Sequence, residues 1–231
     1  LAFEDLRSDG SSTLAFADLD RGTLDRVSTT VRLQPTEWIK GGTELMTLSR
    51  SEKSIGFATV RFPAGRPAID TAAGDFSNES RDGSLRCGSS DTPGRIWRTS
   101  GARDTITLDE KRLTWCRFSP DGKFASWIGE GGALMVASTD PKGVHARARV
   151  VDAGADEPRW SPDSRQIYYR AATRWYVVPA PTADLKPAGP PKLLFRGFYL
   201  QAEASWDMGP DGRFLLLRGA QSDLLLKDTA I

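Results

Sequence analysis

The chain has 231 residues, 39% of them hydrophobic and 26% charged, and its 31 Lys+Arg against 30 Asp+Glu leave a net charge of +1. This is the composition of a globular chain and not of a disordered one. A dedicated nucleic-acid or anionic-membrane surface needs a basic excess, and the balance excludes it.

Apolar runs such as Phe214 to Leu217 are short, far from the roughly 20 residues that cross a bilayer. His145 is the single histidine, which rules out zinc sites built on two histidines and the H-E-x-x-H helix. Cys87 and Cys116 are the two cysteines. They are too few for a structural zinc site and enough for one disulfide in an oxidising compartment. The chain opens at Leu1 without an initiator Met or a signal segment, as a mature product or an excised part of something larger does. No cofactor is expected.

Strands follow one another along the chain without a stretch of long helical periodicity. Leu1 to Asp5, Leu14 to Asp20 and Leu24 to Thr29 form the first, incomplete unit. The second turns at WIKGGTELMT (Trp38 to Thr47) and continues with strands at Ser54 to Phe62 and Arg66 to Asp70. A degraded third turn, FSNESRDGSLRC, begins at Phe76 and is followed by strands at Arg95 to Thr99 and Asp104 to Leu108. The fourth turn is FSPDGKFASW (Phe118 to Trp127), with later strands at Ala133 to Ser138 and Ala146 to Val151. The fifth is WSPDSRQIYY (Trp160 to Tyr169), with strands at Arg174 to Pro179 and Pro191 to Phe195 and an extended Pro-rich loop between them. The sixth is MGPDGRFLLL (Met208 to Leu217), with a last strand at Leu224 to Lys227.

In each clear copy an apolar residue closes one strand and Ser-Pro-Asp-Gly makes the turn. Pro presets φ, Asp bonds nearby backbone N–H groups, and Gly tolerates positive φ. Taking Trp38, Phe76, Phe118, Trp160 and Met208 as anchors, the separations are 38, 42, 42 and 48 residues. That is the period of a four-stranded propeller blade. The expectation is an all-β, six-bladed β-propeller of four-stranded antiparallel blades in one domain, 1–231. The units are 1–33, 34–71, 72–110, 111–153, 154–198 and 199–231, the terminal two partial.

FSPDGKFASW, RWSPDSRQIYYR and WDMGPDGRFLLLRG resemble the Pro-Asp-Gly repeats of TolB-like β-propellers. The run from Glu157 through Leu217 is similar to propellers at the C-terminus of bacterial receptor-type serine/threonine kinases. The resemblance implies a six-bladed binding or sensory module and carries over no catalytic residue, because the shared motif is a structural turn. The chain holds no kinase signature of its own.

Candidate site residues follow from place in the repeat. Trp115, Arg117, Glu157, Arg159, Tyr199, Trp206 and Asp207 lie on or beside inner strands, near the propeller mouth. There, aromatic and charged side chains take a protein or peptide partner or a small ligand; the bland reading is a solvated ring of ion pairs. Trp38 and Trp160 share one repeat position, which favours contact between blades. Asp121, Asp163 and Asp211 read as caps of their own turns, and His145 as a loop histidine. Cys87 and Cys116, in neighbouring units, are either a disulfide or two buried thiols.

The leading expectation is a non-catalytic binding or sensory domain outside the cytoplasm, part of a larger bacterial signalling protein. It contacts neither nucleic acid nor membrane itself. Two alternatives remain. One is a substrate-gating propeller of a prolyl-oligopeptidase-type hydrolase. The other is a metal-dependent, lactonase-like propeller using Glu37, Asp75, Glu157 and Asp207.

Overall fold

The computed structural model describes residues 2–6, 12–18, 21–27, 32–39, 44–50, 55–61, 78–88, 94–99, 105–108, 113–140, 147–199, 206–209 and 211–216. Among them lie six antiparallel sheets in chain order and no α-helix, only a 3-10 turn at Glu130–Gly132. Sheet I holds β1 (Ala2–Leu6), β2 (Ser12–Asp18) and β3 (Thr23–Val27), and sheet II holds β4 (Arg32–Ile39), β5 (Glu44–Arg50) and β6 (Ile55–Arg61). Sheet III is β7 (Asn78–Glu79), β8 (Leu85–Gly88), β9 (Arg95–Arg98) and β10 (Thr105–Thr107). Sheet IV is β11 (Thr114–Phe118), β12 (Phe124–Ile128), β13 (Leu134–Ser138) and β14 (Arg147–Val151). Sheet V is β15 (Asp156–Trp160), β16 (Gln166–Ala171), β17 (Arg174–Pro179) and β18 (Lys192–Arg196), and sheet VI is β19 (Trp206–Met208) and β20 (Phe214–Leu216). β4 runs across the expected unit boundary at 33/34. The expected strands at Arg66 to Asp70 and Leu224 to Lys227 lie outside the described residues.

The repeated turn explains why these strands begin and end where they do. In sheet IV the Ser119 hydroxyl donates to Asp121 Oδ1 at 2.7 Å and accepts the Phe124 N–H at 3.0 Å. Asp121 Oδ1 also accepts the Lys123 N–H, and the Gly122 N–H closes the turn on the Ser119 carbonyl. Sheet V repeats this with Ser161, Asp163 and the Gln166 N–H. So does sheet III, with Ser80, Asp82 and the Leu85 N–H. The third unit is therefore anchored three residues later than Phe76: Glu79 takes the place of Phe118. Arg81 stands where the other copies have Pro, yet the Ser-x-Asp-Gly set that makes the bonds is intact.

Sheet V departs at one position. Ser164 replaces the turn glycine and holds φ at 61°, a left-handed conformation that costs a non-glycine residue about 1–2 kcal/mol. Its hydroxyl accepts the Asp121 N–H of the neighbouring turn at 3.1 Å, which offsets the strain. Ser164→Ala keeps the strained backbone and loses the bond, so it should destabilise by about 1 kcal/mol in urea unfolding. Ser164→Gly loses both strain and bond and should be nearly neutral.

The core lies between sheets. Neighbouring first strands touch, β7 against β11 and β11 against β15. On β12, Ala125 and Trp127 enter a cluster with Cys87, Ile96 and Leu108 of sheet III. On its other face, Ile128 and Phe124 join a cluster with Trp160, Ile167 and Tyr169 of sheet V. Period-2 alternation thus loads both faces of one strand with buried side chains. Between sheets I and II, Leu14, Phe16, Leu33, Leu45 and Val60 form a third cluster. There Trp38 meets Phe16 edge-on at 5.9 Å. Trp160 stacks on Phe124, and its indole N–H is shared between Ser126 Oγ and the Arg117 carbonyl. The two tryptophans of the shared repeat position both join sheets.

Cys87 on β8 and Cys116 on β11 are joined in a disulfide, with Cα atoms 6.3 Å apart. The bond crosses from sheet III to sheet IV.

Candidate functional site

The inner strands set the first group of candidate residues. β11 and β15 each carry a register shift, between Thr114 and Arg117 and between Asp156 and Arg159. A bulge of this kind re-aims the residues that follow it. Trp115 and Glu157 occupy it with φ of 56° and 47°. β4 shifts likewise between Pro35 and Glu37. Counted back from Trp38, Phe118, Trp160 and Met208, the residues Glu37, Arg117, Arg159 and Asp207 share one position. Glu157 falls two residues earlier, with Trp115. The four carboxylates of the lactonase-like reading are therefore not an equivalent set, and Asp75 lies outside the described residues.

Most of these side chains are engaged with the protein itself. Glu157 is fully buried, and its Oε1 lies 3.4 Å from Arg170 Nη2, which also reaches Asp156 Oδ2 at 2.8 Å. Arg159 spans sheets V and VI. Its Nε is 3.4 Å from Asp207 Oδ1, its Nη2 donates to the Trp206 carbonyl, and its guanidinium lies 5.7 Å from the Trp206 ring centroid. Trp206 is 2% exposed and stacks on Phe214. Arg117 is buried beside the half-buried Trp115, 5.9 Å from its ring. Tyr199 sits apart from these, edge-on to Trp175 at 5.1 Å. The structure brings Arg159, Trp206 and Asp207 together as a bridge between sheets. Glu157 and Trp206 are both buried.

An open groove of about 460 Å³ lies elsewhere, on the side of the repeated turns. Asp82, Ser84 and Leu85 of the β7–β8 turn form one wall, and Asp121 to Phe124 of the β11–β12 turn form the other. Arg98, Ser138 to Asp140 and Ala183 complete it. Leu85 and Phe124 give an apolar surface, while Asp82, Asp121, Asp140, Arg98 and Lys123 supply charges of both signs. Lys123 Nζ lies 3.6 Å from Asp121 Oδ2. Sequence reasoning missed this site because its residues come from several turns and loops. The repeated turn aspartates were the one available signal.

Those aspartates stay ionised well into the acid range. The Ser80 hydroxyl and then the Ser84 N–H hold Asp82 below its ordinary value of 3.8. Burial raises Asp121, but the Ser119 and Lys123 bonds together outweigh it and the net shift is down. The Ser161 hydroxyl lowers Asp163, the Arg213 N–H lowers Asp211, and Lys186 followed by Thr182 holds Asp184 at about 2. A carboxyl whose pKa drops on folding binds its proton less readily folded than unfolded. Its contribution to stability is complete above 3.8 and is lost as pH falls through the folded value. Unfolding midpoints should therefore hold steady above about pH 4 and decline from there towards pH 2. Ser80→Ala and Ser119→Ala should each make that decline shallower in a pH series of thermal melts.

No protein-family model matches the chain, and no curated protein matches it by sequence. Its fold is similar to solved structures. TolB from Acinetobacter baumannii superposes with a TM-score of 0.62 at 17% identity, over 92% of this chain and 61% of that one. This chain thus spans less than two thirds of that protein. A TolB-type protein from Agrobacterium tumefaciens gives 0.59 at 17% identity, over 84% and 80%. A 6-phosphogluconolactonase-type protein from Bacteroides uniformis gives 0.56 at 16%, over 93% and 76%. The fold is that of a TolB-like β-propeller.

Proposed function

We propose that this chain is a non-catalytic binding domain that takes a protein or peptide segment in the groove between blades III and IV. The observation that carries this reading is the groove itself, a concave surface made of turns and loops held on rigid sheets. We read the six sheets as six blades of one ring, and the domain as the sensory part of a larger bacterial signalling protein of receptor-kinase type. The disulfide supports a place outside the cytoplasm, where such bonds persist.

The inner-strand carboxylates support a structural role instead. Glu157 is held by Arg170 and Asp207 by Arg159, which takes two of the four proposed ligands from a lactonase-like metal site. Calcium titration by calorimetry and a pH-stat assay on a sugar lactone test the reading together. The expected result is neither calcium binding nor hydrolysis above the uncatalysed rate. Stoichiometric calcium binding that disappears in Asp207→Asn would overturn it.

A further inference from the structure

We infer that the Cys87–Cys116 bond is a redox-sensitive latch on the seam between blades III and IV. Oxidised, it holds β7, β8 and their turn against β11; reduced, it releases them before any other part of the fold. The inference stands apart from what the groove binds.

Blade III begins with a strand of two residues. Asn78 lies directly opposite Cys87, and Glu79 opposite Arg86. Asn78 is 1% exposed, and both polar atoms of its side chain are buried without a hydrogen bond. Glu79 Oε2 accepts the Arg86 Nε–H at 2.9 Å, while its buried Oε1 has no hydrogen bond. Buried polar atoms left unmade oppose folding, so β7 by itself favours opening. It pairs with β8 and touches β11, and β8 is tied covalently to β11. The next seam is made differently. The Trp160 indole bonds to blade IV, and the Asp121 N–H bonds to Ser164, so it does not depend on a redox state.

The latch also governs the groove. One wall, Asp82 to Leu85, ends two residues before Cys87; the other, Asp121 to Phe124, begins five residues after Cys116, in the turn that follows β11. Both cysteines are fully buried, so a reductant reaches the bond through local opening of the seam. The reductant class is a dithiol. One thiolate attacks a cystine sulfur to form a mixed disulfide, and the second displaces it. Two electrons pass to Cys87 and Cys116, both sulfurs take up protons, and the dithiol leaves as a cyclic disulfide.

Hydrogen exchange followed by mass spectrometry, on the full chain with and without dithiothreitol, tests this. Reduction should speed exchange in residues 78–88 by about ten-fold or more while residues 166–179 keep their rate. Equal acceleration across all strands, or none in 78–88, would overturn the latch. Asn78→Leu replaces the two unbonded atoms with methyl groups and keeps the branched shape of the side chain. In the reduced chain it should slow exchange in 78–88 by several-fold. Unchanged reduced-state exchange in that variant would also overturn it, because the seam's weakness would then lie elsewhere.

Discussion

Glu157→Ala is expected to lower the free energy of unfolding by about 3 kcal/mol or more, in the range found when one partner of a buried ion pair is removed. Glu157 is fully buried and Arg170 is 5% exposed. The substitution leaves the guanidinium in the interior with the loss of one carboxylate at 3.4 Å. Asp156 remains at 2.8 Å, but its side chain is 41% exposed and solvent screens it. Replacing both partners, as Glu157→Leu with Arg170→Met, should recover most of the loss, because apolar pairs of similar volume often match a buried ion pair. Urea unfolding of the single and double variants checks this. A single-variant cost below about 1 kcal/mol would show that the pair contributes little.

Trp175→Ala should cost about 3–5 kcal/mol, as large-to-small core changes of aromatic residues do. The Trp175 ring is 1% exposed and stacks on Phe195 at 5.1 Å, with Tyr199 edge-on at 5.1 Å. Phe195 meets Phe214, and Phe214 meets both Trp206 and Tyr168. The chain of rings runs from blade V into blade VI, so the cavity weakens the contact between blades as well as one blade. Trp175→Phe should cost much less, since stacking is retained and an indole N–H that lacks a hydrogen-bond partner is removed. Near-UV circular dichroism should fall strongly in the alanine variant and little in the phenylalanine one. Equal losses in the two variants would place the cost elsewhere.

Blades IV and V were legible in the sequence because local chemistry determines them. Ser119-Pro120-Asp121-Gly122 and Ser161-Pro162-Asp163-Ser164 make their turns with bonds that span five residues or fewer. Phe76 is not the anchor of the third unit, because Glu79 fills the place that an apolar residue holds in the other copies. Ser80, Asp82 and Gly83 were there to be read. Contacts between blades were less legible. That Arg159 meets Asp207 depends on how blade VI docks, and no local pattern encodes that distance. The same is true of Cys87 and Cys116, 29 residues apart, whose pairing follows from β8 lying beside β11. The groove was invisible for this reason too: its walls belong to different blades.

The central claim is that this propeller binds through the groove between blades III and IV and not through its inner strands. Chemical-shift mapping of the nitrogen-15-labelled chain, titrated with a mixed-sequence tetrapeptide library, tests it directly. The account predicts shifts concentrated at Ser84, Arg98, Lys123, Thr139 and Asp140, with Trp115, Glu157 and Arg159 unmoved. Shifts centred on those three inner-strand residues, with the groove silent, would contradict it.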